Sequence, residues 1–223
     1  MALVVAACAA KPPAPDWQAN AKTATERAAL AYLNGNARVE AAERARARAE
    51  VARTGRPDLL ARVELVHCAA QVASLVFEPC AGFEAVRTDA AAPERAYADY
   101  LAARITPADV PLLPEAHRSV AAGSSVDASN AAGGSSDASN AAALTAIPEP
   151  LSRLVAAGVL FEAQRASPAV IATAIDTASA QGWRRPLLAW LGVQLERAAA
   201  AGAGDEAQRL RQRIELVNRS AGG

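Results

Sequence analysis

The chain has 223 residues, 52% hydrophobic, 4% aromatic and 21% charged, with a formal net charge of +0. That length accommodates one or two domains with a real core, although alanine inflates the hydrophobic share and few large aromatics remain to anchor it. Balanced, interleaved charge argues against a nucleic-acid binder, and alanine at this density with hardly any β-branched runs predicts an all-α fold.

The first residues run through Val5-Ala6-Ala7-Cys8 into Ala9-Ala10-Lys11-Pro12-Pro13-Ala14-Pro15. Prolines so dense bar a helix and give an extended, solvated tether. Small residues before a cysteine, with a Pro-rich leash after it, resemble the lipobox of bacterial lipoproteins. The resemblance implies a signal-peptide remnant over 1–7, lipid attachment (palmitate among the acyl chains) at Cys8, and a tether over 8–16. Ala9 in place of an aspartate implies, in the enterobacterial pattern, the outer membrane with the protein facing the periplasm. A cytoplasmic address is the alternative if this segment is not a signal. No later segment approaches the ~20 apolar residues of a membrane span.

Residues 17–122 form an N-terminal helical block. Asp16 or Thr23 can cap a first helix carrying Leu30 and Leu33, which Asn34-Gly35 ends. Asn36 caps a second helix running to Thr54. Its predicted apolar face is Ala41, Ala42, Ala45, Ala49 and Ala52 around Val39 and Val51. Glu40, Glu43, Arg44, Arg48, Glu50 and Arg53 are expected on the solvated side, with Glu40 and Arg44 at helical spacing. Pro57 starts a third helix whose Leu59, Leu60, Val63, Leu65, Val66, Val72, Leu75 and Val76 make it apolar almost all round, the mark of a central helix. A shorter helix near Pro93 carries Tyr97, Tyr100, Leu101 and Ile105. Thr106-Pro107 and the prolines at 111 and 114 break the path before 115–122.

Residues 123–146 are low in complexity: Asp127-Ala128-Ser129-Asn130-Ala131-Ala132 recurs as Asp137-Ala138-Ser139-Asn140-Ala141-Ala142. A tandem polar unit predicts a flexible linker. A C-terminal helical block, 147–223, follows. Ile147-Pro148-Glu149 opens a helix with Leu151, Leu154, Val155 and Phe161. Ser167-Pro168 caps one with Val170, Ile171, Ala174 and Ile175 that stops at Gly182. Arg185-Pro186 begins one with Leu188, Trp190, Leu191 and Leu195. Asp205 caps the last, striped by Ala207, Leu210, Ile214 and Val217. Short Gly or Pro joints suggest antiparallel helical hairpins stacked in order. Tyr32, Gly35, Asn36 and the later alanines weakly resemble a tetratricopeptide-type unit, which implies an α-solenoid or irregular bundle. Their spacing departs from that repeat's register, so the likeness is architectural and carries no function.

Apart from Cys8, the cysteines are Cys68 and Cys80. In an oxidising compartment they are most simply a disulfide, with two free thiols or a metal site using His67 as alternatives. No metal site or cofactor is nominated. His67 lies in the most apolar helix and reads as structural. His117, between Glu115 and Arg118, reads as solvated. No nucleophile elbow, phosphate loop or zinc motif occurs, so no catalytic residue is proposed. Trp183, Arg184, Arg185 and Trp190 cluster at a helix joint, residue types common at binding hot spots, and are the candidate partner-binding group. The sequence thus points to a non-catalytic helical scaffold for envelope proteins. A lipid- or peptide-binding module is the alternative, and an enzyme acting on envelope polymers is the least favoured reading.

Overall fold

A computed structural model describes residues 15–125 and 135–219. Cys8 and the tether before Pro15 lie outside them. Among the described residues the protein is all-helical: α1 (Asp16–Leu33), α2 (Ala37–Ala52), α3 (Pro57–Ala73), α4 (Ala81–Glu84), α5 (Ala92–Leu101), a 3₁₀ turn (Val110–Leu112), α6 (Glu115–Ser125), α7 (Ser135–Thr145), α8 (Pro150–Glu162), α9 (Pro168–Gln181), α10 (Arg184–Ala200) and α11 (Gly204–Arg219).

Local chemistry sets many of the ends. The Asn36 side chain accepts from the Val39 amide, Glu149 accepts from the Leu151 amide, and Ser167 accepts from Val170. Pro57 and Pro168 stand in first turns, where the missing N–H costs nothing. Neither Asp16 nor Thr23 caps α1, which begins after Pro15 without a side-chain cap. Asp205 stands within the first turn of α11, where its charge suits the helix dipole.

Helix α3 is central, packing on α1, α2, α4, α5 and α8. It crosses α8 closely at Gly158, where a Cβ would overlap the Val72 carbonyl. The core runs through both helical blocks: Leu65, Val72, Phe83, Tyr100 and Leu101 are continuous with Leu154, Leu160, Ile175, Trp190 and Leu191. Helices α8, α9, α10 and α11 each pack on the next.

Three further expectations are corrected. Helix α2 is turned about its axis: Glu40, Glu43, Arg44 and Ala47 face inward, while Ala41, Ala42, Ala45, Ala49 and Ala52 are exposed and Val39 is 38% exposed. An alanine stripe offers one methyl per residue, a small reward for burial. Inward-facing arginines instead meet Glu64 of α3, a carboxylate with no exposure at all. Leu30, expected among the apolar residues of α1, is 48% exposed. The linker expectation fails over its second half. There the second copy of the repeat enters α7, which packs on α9 and buries Asn140 and Leu144. Leu144 and Ile147 supply the apolar anchors that the repeat itself lacks.

Candidate functional site

Cys68 and Cys80 are joined, with Cα atoms 5.9 Å apart. The bridge ties the segment after α3 back onto that helix, and the short α4 begins one residue later. Gly82 then passes so close to the Glu64 carboxylate that no side chain would fit.

The bridge forms one wall of a cleft of about 600 Å³. Val72, Val76, Phe77 and Leu101 line its apolar part, and Glu78, Glu84, Arg87, Arg104 and Glu162 its polar part. Residues from α3, α4 and α5 are met here by Glu162 at the end of α8, so the cleft lies where the two helical blocks join. Arg87 donates to Asp99 at 2.6 Å and to Glu84 at 3.1 Å, and Arg104 is 3.7 Å from Asp99. Those acids hold the Arg87 guanidinium even more firmly protonated than usual.

The ends of α3, α5 and α8 share a second property. Each closes with a six-to-one bond, Val76 N–H to Gln71, Arg104 N–H to Asp99 and Arg165 N–H to Leu160. The left-handed residue this closure needs is Leu75, Ala103 or Gln164, at φ 58°, 54° and 59°. Helices α1, α9 and α10 make the same closure with Gly35, Gly182 and Gly202.

One turn before the bridge, α3 carries a charged layer. Arg44 donates to Glu64 at 2.6 Å and Arg48 approaches its other oxygen at 3.1 Å. His67 Nδ1 lies 3.4 Å from Glu40, and its ring meets Tyr32 edge-on at 5.4 Å. Burial, with help from the Arg44 charge, lowers the His67 pKa to about 4.

The candidate partner-binding residues serve this layer and the core. Arg185 stacks over Tyr32 with its Cζ 4.0 Å from the ring centre. Arg184 lies over Gly35, where an added Cβ would stand 2.6 Å from its Nη2. Trp183 is half-buried against Tyr32, Leu33 and Ala70. Trp190 is fully buried and donates its indole N–H to the Ala73 carbonyl at 3.1 Å, so it is core and offers no face to a partner. The four residues pack α10 onto α1 and α3, with Trp183, Arg184 and Arg185 part-exposed.

His117 is likewise corrected. It is 2% exposed, with Tyr97 and Tyr100 rings 5.5 and 5.0 Å away. Burial lowers its pKa to about 4. Its cover comes from α5, some twenty residues upstream, which local sequence around 117 does not reveal. Among the described residues no three His, Cys, Asp or Glu side chains are grouped to hold a metal, and no helix is long and apolar enough to cross a membrane.

No protein-family model, curated protein or solved structure matches the chain.

Proposed function

We propose that the chain is a membrane-anchored periplasmic lipoprotein that acts as a non-catalytic helical interaction module for other proteins of the bacterial envelope. The observation that carries this reading is the Cys68–Cys80 bridge. Disulfides persist in oxidising compartments and are rare in a reducing cytosol. The lipid address rests on Val5-Ala6-Ala7-Cys8 and the proline-rich leash after it. A binding role is supported by what the bridge holds in place, a cleft of about 600 Å³, within the range typical of small-molecule and side-chain sites. Catalysis is disfavoured because both histidines are committed internally, His117 between two tyrosines and His67 against Glu40 and Tyr32.

Crosslinking in intact cells followed by purification tests the reading. It predicts a stoichiometric envelope protein bound to the wild-type chain and lost when Phe77→Arg fills the cleft with a bulky positive charge. A co-purifying lipid or free peptide would favour the second reading, a ligand-holding module, for which the position of the cleft between the two blocks speaks. Turnover of a cell-wall fragment by the pure protein would overturn both.

A further inference from the structure

We propose that the disulfide-walled cleft receives a basic side chain, lysine or arginine, presented by a partner polypeptide. The inference rests on the interaction reading above and adds the chemistry of what is bound.

Three helices end at this cleft. Its lining takes in Val72 and Val76 around the end of α3, Leu101 and Ala102 at the end of α5, and Glu162 as the last residue of α8. A helix C-terminus carries roughly half a negative charge, so three of them make the cleft electronegative before any side chain is considered. The side chains add to this. Arg87 and Arg104 also line the cleft, but Glu84 and Asp99 already balance them. Glu78 and Glu162 have no ion-pair partner among the described residues, and both are exposed and able to turn toward a guest. A bound cation would meet those two carboxylates. Its alkyl stem would lie on Val72, Val76, Leu101 and the bridge, as long basic side chains do when they lay methylenes on apolar surface. Phe77, stacked on Phe161 with centroids 6.2 Å apart, adds its ring to the apolar wall on which that stem would lie. An anion would meet the dipoles and both glutamates head-on. A neutral apolar group would leave the carboxylates unused.

Amide chemical-shift titrations of the oxidised full-length protein test this, with the blocked single residues N-acetyl-lysine methylamide, N-acetyl-arginine methylamide and N-acetyl-norleucine methylamide as probes. Both cationic probes should shift the amides of 76–80, 101–104 and 162–164 and bind roughly tenfold more tightly than norleucine. Added salt should narrow that gap. Glu78→Gln with Glu162→Gln, changes at exposed positions, should erase the cationic preference while leaving the remaining spectrum intact. Arg104→Ala should preserve or strengthen it. Equal binding of norleucine, a preference that survives the double variant, or no shifts with any probe would overturn the proposal. A crosslinked partner that persists alongside such a failure would leave the interaction role standing and remove only the basic side chain.

Discussion

Two sets of contacts on α3, those toward α1 and α2 and those toward α8, are held by different physics. Toward α1 and α2 a small apolar cluster of Ala21, Ala24, Ala47, Val51 and Val63 is joined by buried charge: Glu64 has Arg44 and Arg48 on its oxygens, and Glu40 faces His67. Toward α8 they are steric: Gly158 sits on the Val72 backbone, and Leu154, Leu160 and Trp190 fill the space around it. Charges tolerate small displacement but not the loss of a partner, whereas a close backbone crossing tolerates loss of polarity but not an added methyl. The same helix therefore fails in two distinguishable ways.

The largest effect should come from the charged side. Arg44→Met with Arg48→Met strips Glu64 of both partners and should cost about 3–5 kcal/mol in denaturant unfolding. Adding Glu64→Gln should recover much of that loss, since the stranded charge is gone. On the steric side, Gly158→Ala should cost about 3 kcal/mol, and no change of charge nearby should rescue it. If both sides respond alike to charge removal, the contrast fails.

The bridge borders both regions, holding Gly82 against Glu64 and walling the cleft. Cys68→Ala with Cys80→Ala should cost about 3 kcal/mol by the loop-entropy estimate for so short a loop, read as a drop in Tm. Hydrogen exchange should rise first over 74–86.

Acid should act next. His117 stays neutral in the fold down to about pH 4, against an ordinary value of 6.5. The unfolded chain therefore binds the proton first. Stability is full above about pH 6.5 and falls as the pH drops toward 4, by roughly 2–3 kcal/mol for this one buried ring. His117→Phe should flatten the part of the curve that belongs to it, measured by urea unfolding at a series of pH values.

The smallest effect should be at the helix ends around the cleft. Gln164→Gly relieves a left-handed residue and should gain up to about 1 kcal/mol, whereas Gly182→Ala at the end of α9 should lose a similar amount.

What could be read from the sequence was what depends on neighbours in the chain. Asn36, Pro57, Ser167, Pro168 and Gly182 mark helix ends through local hydrogen bonds and fixed φ angles, and each does so here. The pairing of Cys68 with Cys80 was legible because so few residues separate them. The orientation of α2 was not, because its decisive partner, Glu64, stands twenty residues beyond Arg44 and alanine gives only a weak hydrophobic signal. The burial of His117 escaped for the same reason, its cover being Tyr97 and Tyr100. Helix α7 was masked by its repeat: a polar ten-residue unit reads as linker, and only Leu144 shows that it is pinned. The cleft had no sequence signal. It is assembled from three helix ends far apart in the chain, and no glycine marks Leu75, Ala103 or Gln164 as left-handed.

The proposed role turns on where the protein resides and whether its bridge forms there. Intact mass spectrometry of material taken from cell membranes, denatured in alkylating reagent without reductant, addresses both at once. The account predicts a chain that begins at an acylated Cys8 and carries no alkyl adduct. An unacylated amino terminus with Cys68 and Cys80 both alkylated would contradict it.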